Sequence, residues 1–153
     1  MLRIAKLTDY GIVLMAYFAR EGEEGLYSAS ELASATHIAP PTVSKLLKHL
    51  SRTGLLTSTR GAHGGYSLAR PAAEIDVSEI IEALEGPLAM TECADERVSS
   101  CGEETNCPLR SHWNHINLAV KTALRSISLA QLASPIPQYN LVGTAHSAEP
   151  IDA

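Results

Sequence analysis

The sequence predicts a mainly α-helical fold that carries one small β-hairpin. Three observations point there. Apolar residues recur at helical spacing, most clearly at Val43, Leu46, Leu47 and Leu50. A glycine-rich turn, Arg60-Gly-Ala-His-Gly-Gly65, separates two short strand-like runs. An apolar seam spaced alternately by four and three residues then runs from Leu109 to Ala130. With 153 residues and 45% hydrophobic content, the chain suits one compact domain with an appendage.

The first helix is expected to start with Thr8 as N-cap and to run to about Arg20, with Ile12, Leu14, Met15, Tyr17 and Phe18 on its apolar face. It ends in the Glu- and Gly-rich residues 21–25. A short second helix opens with the capping box Ser28-x-x-Glu31, in which side chains and backbone N–H groups satisfy each other reciprocally, and it stops near His37. Pro40 starts the third helix, since proline is tolerated where its missing N–H has no helical acceptor. Gly54 follows as a left-handed cap. Residues 55–59 and 66–69 form the hairpin, with Tyr66 expected to pack beneath it, and Pro71 ends it. Asp76, with Glu79 three residues on, caps a fourth helix that buries Val77, Ile80, Ile81 and Leu84 before Gly86-Pro87 breaks it.

Beyond Pro108 one long helix is expected to reach about Ser134. Leu109, Trp113, Ile116, Val120, Ala123, Ile127 and Ala130 form its seam, and Leu118, Leu124, Leu129 and Leu132 widen the stripe. Such a helix spans ~38 Å at ~1.5 Å per residue, more than a small domain covers. A stripe this wide predicts a symmetric partner helix, hence a homodimer. The expected organisation is a reading domain over 1–86, a cysteine loop over 87–108, a dimerisation helix over 109–133 and a weakly ordered tail over 134–153.

Charge is unevenly placed. Residues 1–75 carry 8 Lys/Arg and 6 Asp/Glu, whereas residues 76–153 carry 4 and 11, within an overall net charge of −5. Residues 32–73 contain no acid at all but hold Lys45, Lys48, Arg52, Arg60 and Arg70. A stretch of this kind fits a surface that approaches phosphates. Helix, turn, helix and a glycine-tipped hairpin together make the winged helix-turn-helix pattern. The apolar face of the third helix leaves Thr42, Ser44, Lys45, Lys48, His49 and Arg52 outward. Thr42, Ser44 and Lys45, near its N-terminal end, are the candidates for base edges in the major groove of double-stranded DNA. Lys48 and Arg52 are candidates for phosphate. Arg60 heads the wing, where a guanidinium can enter a narrow minor groove. Ser28 or Ser30 can donate to phosphate at a helix N-terminus.

The three cysteines, Cys93, Cys101 and Cys107, share one acidic loop. An odd number cannot all pair within one chain, and clustered soft thiolates suit a metal or an iron–sulfur cluster. Structural zinc favours closer cysteine pairs than this loop offers, and redox-active thiols are a further alternative. No signal-like segment opens the chain, and the apolar run at residues 12–19 is too short to span a bilayer, so a cytoplasmic chain with no membrane partner is expected. No phosphate loop, nucleophile elbow or metal-hydrolase motif occurs, so no enzyme activity is expected.

Leu7-Thr8-Asp9-Tyr10-Gly11, the Arg60 to Leu68 segment and Glu85-Gly-Pro87 ahead of three cysteines resemble the Rrf2 family of winged-helix regulators, typified by IscR and NsrR. The resemblance covers about residues 1–132 and is nearest to the regulators of iron–sulfur cluster assembly of the SUF type. It implies a homodimeric repressor on a palindromic operator, with an iron–sulfur cluster (2Fe–2S or 4Fe–4S) held by Cys93, Cys101 and Cys107. For the fourth ligand, IscR-like members place a histidine three residues after the third cysteine, where this chain has Arg110. NsrR-like members use an aspartate near the start of the first helix, delivered by the partner subunit. Asp9 occupies that place, with His112 as the fallback. An acid there also complements the helix dipole by ~0.3–1 kcal/mol whatever else it does. Seven residues separate Cys93 from Cys101 and five separate Cys101 from Cys107, against five and five more commonly in the family, which leaves the cluster type open.

Overall fold

The computed structural model describes residues 3–22, 24–91, 94 and 107–134. Its elements in chain order are α1 (Lys6–Glu21), α2 (Ala29–Thr36), α3 (Pro40–Arg52), β1 (Leu56–Thr59), β2 (Gly65–Leu68), a 3-10 turn (Ala72–Glu74), α4 (Val77–Glu85), α5 (Arg110–Arg125) and α6 (Leu129–Ala133). Leu14, Met15 and Phe18 of α1, Leu32 of α2 and Val43, Leu46, Leu47 and Leu50 of α3 meet in one core, closed by Leu55, Leu56, Ile75, Ile80 and Leu129. The helical spacing of these residues dictates which face turns inward.

The second helix opens as its sequence requires. Ser28 Oγ accepts the Glu31 N–H, the Glu31 carboxylate accepts the Ser28 N–H, and His37 leaves the helix in a left-handed conformation (φ 56°). Gly54 is likewise left-handed, at φ 81°. In the wing, β1 and β2 pair antiparallel in the register Leu56↔Leu68 to Thr59↔Gly65. Tyr27, in the chain between α1 and α2, exchanges two backbone hydrogen bonds with Tyr66 (3.0 and 2.9 Å), which fastens the wing to the body. Glycine is needed at 65 because a Cβ there would sit 2.7 Å from the Tyr27 carbonyl oxygen. Tyr66 packs against the core, as expected.

Two expectations are corrected. The N-cap of α1 is Ala5 and not Thr8, which lies inside the first turn and is 2% exposed. The cap comes from far away in the chain: Glu85 Oε1 accepts the Ala5 N–H at 3.0 Å. The expected single helix over 109–133 is two helices. Helix α5 ends at Arg125, and Ser128 opens α6 with a second capping box, completed by Gln131. The turn between them is held by backbone bonds to the start of α4, Val77 N–H to the Ile127 carbonyl (3.0 Å) and Leu129 N–H to the Ile75 carbonyl (2.7 Å). Leu129 is fully buried in the core and α6 lies against α1, so the end of the supposed arm belongs to the main body.

Helix α5 buries none of its own residues. Among the described residues, an ion pair and a hydrogen bond help to seat it on the body. Lys121 Nζ lies 2.6 Å from Glu82 Oε1 on α4, and Asn117 Oδ1 accepts the Met90 N–H at 3.2 Å. Leu109, Ile116 and Leu118 stay 55%, 42% and 58% exposed. Among the described residues, no helix is long and apolar enough to cross a membrane.

Candidate nucleic-acid interface and cysteine segment

Helix α3 divides cleanly. Val43, Leu46, Leu47 and Leu50 are at most 1% exposed, while Lys45, Lys48 and Arg52 are exposed and Thr42 and Ser44 half-buried on the outer flank. The helix starts with Pro40 and Pro41 and has no acidic residue in its first turn, so its positive N-terminal end is uncompensated by side chains. Arg60 lies at the end of β1 on the exposed wing tip, beside Gly61 (φ 121°) and the exposed His63.

The five cations of the acid-free stretch do not behave alike. Lys45, Lys48, Arg52 and Arg60 form no ion pair with any described residue. Arg70 instead pairs with Glu79 and donates from Nη1 to the Glu74 carbonyl (3.2 Å), fastening the end of the wing to α4. Four free cations on α3 and the wing therefore face outward, where a polyanion can neutralise them; the fifth is structural. This split was invisible in the sequence, because Glu79 is nine residues from Arg70.

Ser28 is placed differently from its expected role. Its hydroxyl donates to Glu31 Oε2 (2.7 Å), accepts the Glu31 N–H and lies 3.0 Å from Ser30 Oγ, so it is occupied by the cap. Those hydrogen bonds, the one from the Ser28 side chain first and the one from its backbone second, hold the Glu31 carboxyl below its ordinary pKa. Ser30 is the exposed hydroxyl at that helix end. His49 turns aside as well: its Nε2 lies 2.6 Å from the Ala83 carbonyl of α4. The wing also carries a hydroxyl pair that the sequence reading missed, Thr57 Oγ1 with Ser67 Oγ at 2.7 Å. It is found only once the register sets the two residues opposite each other.

Of the proposed cluster ligands, Cys107 is a free, half-buried thiol in the turn before α5. Asp9 is exposed in the first turn of α1 and lines an open depression with Arg3, Ile4, Ala5 and Lys6. His112 is exposed in the first turn of α5. Cys93 and Cys101 lie outside the described residues. Among the described residues, no three His, Cys, Asp or Glu side chains are grouped to hold a metal ion.

Known proteins match this arrangement over most of the chain. The sequence model of the Rrf2 family, described as an iron-dependent transcriptional regulator, matches residues 4–135. The chain is 33% identical to the protein rrf2 of Nitratidesulfovibrio vulgaris over 131 residues, covering 86% of this chain and 87% of that one. It is 27% identical to the HTH-type transcriptional regulator NsrR of Oceanobacillus iheyensis, covering 86% and 89%. Among solved structures it is similar to CymR, the global cysteine regulator of B. subtilis (TM-score 0.67, 32% identity, 87% and 97% covered). It is also similar to the IscR of T. potens (TM-score 0.65, 30% identity, 86% and 85% covered).

Proposed function

The chain belongs to the Rrf2 family of transcriptional regulators, and on that footing we propose a DNA-binding repressor that senses an iron–sulfur cluster and controls iron–sulfur cluster assembly genes. The observation that carries the DNA-reading part is the outward set of unpaired cations on α3 and the wing. In this reading α3 enters the major groove, with Thr42, Ser44 and Lys45 at base edges. Lys48 and Arg52 hold phosphates and set register, and Arg60 reaches the minor groove beside the wing. Ser28 contributes by fixing α2, which presents Ser30 to the backbone. Two copies joined through the exposed apolar face of α5 would read a palindromic operator with half-sites ~34–36 Å apart.

The donor set suits the cluster. Cys93, Cys101 and Cys107 supply soft anionic sulfur and Asp9 of a second copy supplies a harder, more labile carboxylate, with His112 as the alternative. Cys107 is unpaired and partly accessible, and the Asp9 carboxylate is open to an approaching subunit. Held by these residues, a cluster would supply a labile link between the two subunits. The chain's own part is to convert that link into a spacing of two reading heads, so that bound and free states differ in operator affinity.

A second reading has support of its own. The similar structure of CymR, the global cysteine regulator of B. subtilis, favours a regulator of the same fold without an iron–sulfur cluster, its cysteines acting as zinc ligands or as redox thiols. One experiment separates the two. Anaerobically purified protein is examined for visible absorbance, iron and acid-labile sulfide, then titrated with and without the cluster against duplex DNA at fixed salt. Coloured, iron-containing protein whose affinity changes on cluster removal supports the proposal. Colourless, iron-free protein that resists reconstitution, or equal affinities at confirmed occupancy, defeats it.

A further inference from the structure

Each of the three residues that close α4 makes a contact outside the helix. The Ala83 carbonyl meets His49 Nε2 of α3 at 2.6 Å. Leu84 packs on Gly11 of α1 so closely that a Cβ at position 11 would sit 2.3 Å from Leu84 Cδ1. Glu85 caps α1 through the Ala5 N–H, one turn from Asp9. The chain then turns through Gly86 (φ 94°) and Pro87 toward the cysteine segment. One helical turn thus touches the recognition helix, the helix that bears Asp9 and the entry to the cysteines.

The Ala83 carbonyl is free to accept for a local reason. Its helical partner would be the N–H of residue 87, and that residue is proline. A carbonyl only accepts, so His49 Nε2 must carry the proton and donate it. The ring therefore bridges α3 to α4 and is drawn away from the DNA-facing residues of its own helix.

We infer that His49 is a positioning residue that couples the recognition helix to the chain leaving α4, through the hydrogen bond from Nε2 to the Ala83 carbonyl. The inference rests on the reading of α3 as the DNA-contacting helix. Coupling between two sites is reciprocal, so a duplex bound at α3 must be felt at residues 86–91 as surely as a change there is felt at α3. A single neutral hydrogen bond sets the scale at roughly two- to tenfold. The Met90 N–H, bonded to Asn117 on α5, carries the displacement onward to the proposed dimer helix.

The test uses the full chain and the tightest duplex that the wild type selects from a random pool. Amide hydrogen exchange at Gly86 and residues 88–91 is compared with and without saturating duplex. The wild type and His49→Gln, which keeps an N–H donor, are expected to change exchange there by roughly two- to tenfold. His49→Phe, which keeps a ring and loses the donor, is expected to lose that response while still binding the duplex. Pro87→Ala, which leaves α3 untouched and offers the Ala83 carbonyl a competing N–H, is expected to weaken it too. An unchanged exchange pattern in wild type with duplex bound overturns the coupling while the DNA reading stands. A full response in His49→Phe overturns the role of His49. Should no duplex be selected at all, the DNA reading fails and takes this inference with it.

Discussion

Helices α3 and α5 are both amphipathic and of similar length, 13 and 16 residues, yet their apolar faces meet opposite fates. The face of α3 is consumed by its own domain: four residues are fully buried beneath α1, α2 and α4. The face of α5 rests on α4 by one edge and leaves Leu109, at its N-cap, and Ile116 in solvent. The same periodicity thus encodes two kinds of partner. Where the chain returns enough surface, the stripe becomes core; where it does not, the stripe is an unfilled half of an interface.

Stability breaks the comparison first. Leu47→Ala in α3 is expected to cost about 2–5 kcal/mol, because it opens a cavity in a closed core. Leu129→Ala is expected to cost a similar amount, since α6 belongs to that core despite its place in the sequence. Urea unfolding of each variant reads both values. A loss below about 0.5 kcal/mol for Leu129→Ala, the range of ordinary surface changes, would return α6 to the arm.

Association comes next. Ile116→Glu should leave the unfolding of an isolated copy nearly unchanged but weaken self-association by about 2 kcal/mol or more, if Ile116 lies at the centre of the α5 interface. Sedimentation across a concentration series measures it. A dimer that survives this charge joins through another face.

Electrostatics sharpens the picture within the reading domain. Lys45→Ala is expected to cost about 1–3 kcal/mol in operator affinity and to relax sequence preference. Lys48→Ala should weaken all duplexes alike and lower the salt slope by about one. Arg70→Ala, though drawn from the same acid-free stretch, should leave the slope unchanged, because Glu79 and Glu74 already hold its guanidinium. Equal slope losses at Lys48 and Arg70 would mean that the sorting of free from structural cations is wrong.

Legibility in the sequence follows the range of the interaction. The core face of α3 and the cap at Ser28 are written in steps of three or four residues, and the wing in one contiguous run about a glycine-rich turn, so all three are read from local spacing. The cap of α1 was not, because Glu85 reaches Ala5 across 80 positions and Thr8 offered a plausible local hydroxyl. The break in the C-terminal helix was written locally, as Ser128-x-x-Gln131, but the apolar spacing continues straight through it and masked the signal. His49 looked outward for the same reason as Lys48, since its partner carbonyl is 34 residues away. The cysteine spacing proposes a donor set, of which Cys93 and Cys101 lie outside the described residues.

The two capping boxes extend the contrast to its smallest effect. Ser28 pairs with Glu31, which titrates; Ser128 pairs with Gln131, which does not. Hydrogen bonds from Ser28 lower the Glu31 pKa in the folded chain below its ordinary value of 4.5. A depressed carboxyl pKa means that the cap's contribution is fully present above the unfolded value and lost as pH falls through the folded one. The start of α2 should therefore be unchanged from neutral pH down to the ordinary carboxyl value of 4.5 and loosen only below it, while the start of α6 stays constant. Amide shifts of Ser28 and Ser128, followed through an acid titration, read the two ends separately in one sample. Glu31→Gln should abolish the change at Ser28. A Ser28 amide that holds its shift while the carboxyl protonates would show that the cap does not depend on the charge.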